Sequence, residues 1–149
     1  MSKITSIYNN LVSLCEGALP DHKRIPNPYA LEQNSELILE QGWGLVVSTG
    51  ENTNRQIGCD KSYSRSFQII ITRKITTTDH NIDQRTAIEK QILEDLHLVW
   101  SALENDSDLT GQTAQTIQVL DGGLEFFEGD RAKYLGVIID VFAEYFEQL

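Results

Sequence analysis

The chain is poor in the residues that mark catalytic or disulfide-bonded proteins. Cysteine occurs twice, as Cys15 and Cys59, far apart in sequence, too few for a disulfide framework or a four-ligand zinc site. Histidine occurs three times, at His22, His80 and His97, each isolated from the others. Proline occurs three times, at Pro20, Pro26 and Pro28, so the rest of the chain lacks the residue that most disturbs helices and strands. No apolar run approaches the roughly 18 residues of a membrane span. Basic residues are scarce, with 12 Lys and Arg against 22 Asp and Glu for a net charge of −10. A protein that grips DNA through its phosphates carries the opposite balance. The simplest reading of the acidic excess is solubility; a second is a protein that lets DNA pass without holding it.

What is present is an ordinary globular composition, 40% hydrophobic and 23% charged over 149 residues. That is one domain, residues 1–149, long enough to bury its core unaided. The N-terminal "MSKITSIYNNLVSLCEG" is amphipathic and contains Glu16, and reads as part of the fold instead of a secretory signal. Ile4, Ile7, Leu11, Leu14 and Cys15 recur at helical spacing, which predicts a helix over 3–16 stopped by Gly17. The prolines then predict an extended arm over 18–33. Asn34 or Ser35 can cap a short helix over 35–41 ended by Gly42. "WGLVVST", residues 43–49, reads as a strand, and "GENTNRQIGCD" as a polar loop of about ten residues, a length that is often functional.

"SFQIIITRKIT" alternates as a half-buried strand, with Phe67, Ile69, Ile71 and Ile75 on one face and Ile70 as the exception on the other. Arg73 falls on the apolar parity near the strand end, where a long side chain reaches water. Ile88, Ile92, Leu96, Val99 and Leu103 predict a long helix over 83–104, with Leu93 and Trp100 widening its stripe. "TAQTIQVLDGGLEFF" is a strand whose Gly-Gly pair predicts a bulge or bend. "AKYLGVIIDVFAEYFEQL" is a long strand. One of its faces carries Leu135, Val137, Ile139, Val141, Ala143 and Tyr145; the other carries Tyr134, Ile138, Asp140, Phe142, Glu144 and Phe146. The second face is expected to need a covering partner, because large exposed apolar patches mark interfaces. The expected class is α+β: a mostly antiparallel four-stranded sheet with one long and one N-terminal helix packed on one face.

The chain carries no phosphate-binding glycine loop, nucleophile elbow or HExxH helix. Glu94 and His97 form a lone ExxH, one half of what a di-iron site needs, so no metal and no cofactor is expected. Pairing of Cys59 with His80 or His22 as a nucleophile has nothing to orient it. Arg73 and Lys74 are adjacent on a strand and point to opposite faces, so they do not form one phosphate cradle. His80 and these two basics read as a solvated strand end running into a helix cap. No catalytic residue is assigned.

The stretches "RIPNPYALEQN", "GENTNRQIGC", "SRSFQIIITRK", "DLHLVWSALE" and "DGGLEFFEGD" and the closing "FAEYFE" are arranged as helix, proline arm, long strand into long helix, and final hairpin. In this the chain resembles the tail terminator, or tail-completion, proteins of long-tailed bacteriophages, over nearly its whole length. The resemblance implies an α+β virion protein, assembled in the host cytoplasm, that forms a hexameric ring. Such a ring caps the tail tube protein, halts its polymerisation and offers a surface to the head–tail connector protein, with DNA passing through the lumen without specific binding. It implies no enzyme activity and no membrane.

The interface candidates are residues of loops, arms and the unpartnered strand face. Arg24, in the arm, and Arg55 and Lys61, in the loop 50–62, are the basic ones. Tyr29, Trp43 and Phe142 are candidate aromatic anchors, since aromatics and arginines dominate interface energy; Trp43 and Phe142 read equally as core residues. Ile138, Phe142 and Phe146 make up the surplus apolar face. Alternative functions are another neck or head–tail connector subunit, a small oligomeric enzyme with a site between subunits, and a monomeric regulatory module.

Overall fold

The computed structural model describes residues 3–25, 41–47, 54–57, 60–75, 82–105, 116–128 and 133–148. Their elements follow in the order α1 (Lys3–Ala18), β1 (Lys23–Arg24), β2 (Gln41–Val47), β3 (Asn54–Ile57), β4 (Asp60–Ile75), α2 (Ile82–Asn105), β5 (Thr116–Glu128) and β6 (Lys133–Gln148). The class is α+β, with the four long strands in the order β2-β4-β6-β5, all antiparallel. Two short strands add to it: β1 pairs parallel with β2, and β3 pairs antiparallel with β4.

The backbone of the sheet is the β4–β6 ribbon, paired without a break from Asp60↔Gln148 to Ile75↔Lys133, a span of roughly 50 Å at the usual rise per residue. β5 follows β6 with a register shift between Asp121 and Leu124. The intervening Gly122 and Gly123 are the pair expected to bulge, and glycine suits a bulge because it has no side chain to pack.

Both helices lie on one face of the sheet. Ile7, Leu11 and Cys15 of α1 and Ile92, Val99 and Leu103 of α2 share one core with Trp43, Leu45, Phe67, Ile69, Ile71, Leu135, Val137, Ile139, Val141, Ala143 and Tyr145. The strand members are of one parity on each strand, as period two demands. Tyr8 sets its ring 6.5 Å from that of Phe67, and Tyr63 stacks on Tyr145 at 5.3 Å.

The opposite face departs from expectation. Ile138 is 9% exposed in the single chain and its cross-strand partner Ile70 is fully buried. Tyr134, Thr72 and Ile25 are buried as well, outside the helical core. Ile138 therefore does not await a second copy, and its assignment as an interface residue is withdrawn. Among the described side chains of β6 on this face, Asp140 and Phe142 are half-buried and Glu144 is exposed.

Three boundaries also differ. The strand expected over 43–49 is described from Gln41 to Val47, which puts Gln41 and Gly42 in the sheet and not at the end of a helix; 35–40 lie outside the described residues. The expected loop 50–62 contains β3 and the first residues of β4. "NRQI" has neither β-branched alternation nor an apolar face, and it becomes a strand because the long ribbon supplies an edge to pair with. Of the arm 18–33, Ala18 ends α1 and Lys23–Arg24 form β1; 26–33 lie outside the described residues.

Gly42 is needed where it stands. Ile25 donates its backbone N–H to the Trp43 carbonyl at 2.7 Å and lays its side chain over Gly42. A β-carbon there would meet Ile25 Cδ1 at 2.7 Å and Cγ1 at 2.8 Å. Gly42→Ala is expected to cost about 1–3 kcal/mol of stability through overpacking. In an Ile25→Ala background the same change should cost much less, a coupling that urea titrations of the four proteins would measure.

Candidate functional site

Two charged residues sit where the hydrophobic pattern calls for apolar ones. On α2 the buried stripe runs through Ile92, Val99 and Leu103, and Asp95 lies within it, 3% exposed. On β4 Arg73 shares the parity of Phe67, Ile69 and Ile71. The two meet: Arg73 Nε donates to Asp95 Oδ2 at 2.6 Å and Nη2 donates to Oδ1 at 2.9 Å. This is the bidentate fork that a planar guanidinium makes with a carboxylate.

A third group arrives from a distant part of the chain. After α1, Leu19 N–H still donates to the Cys15 carbonyl at 2.9 Å, and His22 N–H donates to the Leu19 carbonyl at 3.2 Å. This tight turn delivers the His22 ring to α2, where Nε2 stands 3.1 Å from Asp95 Oδ2. An ionised carboxylate can only accept, so Nε2 carries the proton and donates. His22 Nδ1 is buried with no partner.

The network continues to β2. Arg73 Nη1 donates to Gln41 Oε1 at 3.0 Å, and Gln41 Nε2 donates to the Asp21 carbonyl at 2.8 Å. Gln91 Oε1 lies 3.5 Å from the same Nη1. One carboxylate thus ties together the α1–β1 turn, β2, β4 and α2. Burial opposes the charge on Asp95, but the hydrogen bonds from His22 and Arg73, and their positive charge, outweigh it and hold the carboxyl below its usual range. Three N–H donors are directed at its two oxygens. The arrangement is suited to holding elements together, not to abstracting a proton.

Two sequence expectations are corrected here. Arg73 does not run out to water: its side chain is 20% exposed and paired. His22 is not alone, because Asp95, 73 residues away in sequence, is its partner. Lys74 does turn to the other face and is half-exposed. Glu94 and His97 are both exposed, and His97 Nε2 lies 3.4 Å from Ser101 Oγ. Among the described residues no group of three or more His, Cys, Asp or Glu stands close enough to hold a metal.

The remaining candidates fall in separate places. Trp43 is 1% exposed within the helical core; it is a core residue, and its reading as an anchor for a partner is withdrawn. Arg24 is exposed on β1, its guanidinium 5.5 Å from the centre of the Trp43 ring and donating to Tyr8 Oη at 2.9 Å. That cation–π contact seals the outer edge of the core. Arg55 lies on β3, Lys61 on β4 and Phe146 on β6; their side chains are outside those described. Tyr29, His80 and Cys59 lie outside the described residues.

Cys15 is fully buried on α1. Burial pushes its thiol up to about 12, with Arg24 lowering it and Glu16 raising it by smaller amounts. Only the thiolate reacts, so in a Cys59→Ala variant Cys15 should resist alkylation at pH 8 in native buffer and label fully in urea. Rapid native labelling would show that the helix face opens.

These features define a class: a two-layer α+β domain whose helices are fastened to one sheet face by a buried charged clamp. No described helix is long and apolar enough to cross a membrane. No protein-family model matches the chain, and no curated protein matches it.

Proposed function

We propose that the chain is a non-catalytic structural subunit of a long-tailed bacteriophage: a tail terminator that forms a hexameric ring, caps the tail tube, stops its growth and offers the surface for head joining. It is assembled in the host cytoplasm and carried in the virion, with DNA passing through the ring.

The observation that carries this reading is the architecture of the sheet. Both helices are stacked on one face, and the outermost strands, β5 on one side and β1 on the other, have no further strand paired to them among the described residues. An unpaired strand edge is a place where a strand of another chain can add. Two further features support it. The polar cluster at Asp95 is buried and joins separate elements, as a fastening does. The net charge of −10 favours a lumen from which the DNA backbone is repelled.

The test is the mass of the purified protein followed by its effect on tubes. A ring is expected far above the 16.8 kDa of one chain, with a central hole in negative stain, and it should arrest elongation of purified tail tubes when added at low ratio. A stable monomer at high concentration would sink the reading. Binding only to portal-side components would replace the terminator with another neck subunit.

A further inference from the structure

The two outermost edges of the sheet, among the described residues, differ in charge. β5 carries Asp121, Glu125 and Glu128 and no basic residue. The other edge is made of β1, with Lys23 and Arg24, of β2, which has no charged residue, and of β3, with Arg55; it has no acidic residue. Lys23 and Arg24 are both exposed. Arg24 is already engaged by Tyr8 and Trp43, which leaves Lys23 as the better placed of the two to meet a neighbour.

The register places these charges at one height. Lys23 pairs with Gly42, Gly42 with Thr72, Thr72 with Gly136, and Gly136 with Glu125. A single row therefore crosses the whole sheet from a lysine at one edge to a glutamate at the other. Strand directions agree as well. β1 is parallel to β2, and the steps from β2 to β4, β6 and β5 are each antiparallel, so β1 runs antiparallel to β5. A second copy continuing the sheet adds as an ordinary antiparallel pair with no change of direction.

We propose that successive copies join edge to edge, β5 of one against β1 of the next, so that one sheet continues through the assembly and Glu125 of each copy meets Lys23 of its neighbour. This rests on the ring reading and names its interface. Joining β5 to β5 would set like charges opposite each other, which destabilises a strand pair. Joining unlike edges is a head-to-tail contact, and such contacts make rings when the rotation closes.

Lys23→Glu and Glu125→Lys test this singly and mixed. Each variant alone sets like charges at every junction and is expected to fall to monomer mass. Mixed together they form alternating junctions that are all complementary, and the multimer should return. A carbodiimide cross-link on the wild-type protein gives a second readout. Lys23 and Glu125 stand at opposite edges, four strand spacings or roughly 19 Å apart, so an amide between them joins two copies and is expected in the peptide map of the multimer. This readout decides alone if either variant fails to fold. A wild-type multimer that lacks the cross-link, or whose single variants keep the wild-type mass, overturns the edge pairing while leaving the ring reading intact. A wild-type monomer overturns both.

Discussion

Replacing Asp95 by alanine is expected to lower the free energy of unfolding by about 3–5 kcal/mol, the range for removing one partner of a buried ion pair. The loss leaves Arg73 and His22 facing an apolar stripe without their acceptor, and it releases the α1–β1 turn from α2. Against a total stability of about 5–15 kcal/mol, the variant would sit near the edge of folding. Urea titration at neutral pH measures it. Arg73→Ala should cost less, because Asp95 keeps His22, and the two changes together should cost well under their sum. An Asp95→Ala protein as stable as wild type would show that the clamp contributes nothing net.

The same carboxylate sets an acid limit. Its folded pKa is depressed below the ordinary value of about 3.9. Its contribution is therefore complete above that ordinary value and is lost as pH falls through the lower folded one. Wild type should lose stability over this acidic window, and Asp95→Ala should lose less there. A parallel loss in both proteins would assign the acid transition to other carboxylates.

Trp43→Ala is expected to cost about 3–5 kcal/mol, as large-to-small changes of core aromatics do. Trp43 is 1% exposed, belongs to the core that both helices share, and lies under the Arg24 guanidinium. Thermal or urea unfolding should register the whole effect, and folded Trp43→Ala protein should keep the wild-type assembly mass. Phe142→Ala, half-buried on the opposite face, should destabilise the chain much less. If Trp43→Ala dissociated the assembly at unchanged stability, the tryptophan would belong to an interface after all.

The helices and long strands were legible because their patterns are local. Ile92, Val99 and Leu103 repeat at helical spacing, and residues 135–145 of β6 alternate over a length no loop sustains. The Gly-Gly pair of β5 announced its bulge for a similar reason. The strand β3 was not legible, because "NRQI" has no pattern of its own and exists only against the end of β4. The burial of Ile138 was missed because alternation shows which residues share a face but not what covers that face.

The clamp had a signal that sequence reasoning passed over. Asp95 and Arg73 each break an apolar pattern, and they carry opposite charge. A lone charge on a core face invites the reading of a snorkelling side chain; two of opposite sign invite a pair, since buried charges are tolerated when matched. His22 offered no such hint, lying just past the first helix with 73 residues between it and its partner.

By itself the amino-acid order determined the class of this protein, the positions of its two described helices and the face that β4 and β6 turn inward. Those follow from side-chain periodicity along a few turns or residues. Strand order, the row joining Lys23 to Glu125 and the meeting of His22, Arg73 and Asp95 were decided only when distant segments packed. Cross-strand register and buried ion pairing are properties of neighbours in space, and no stretch of chain contains them.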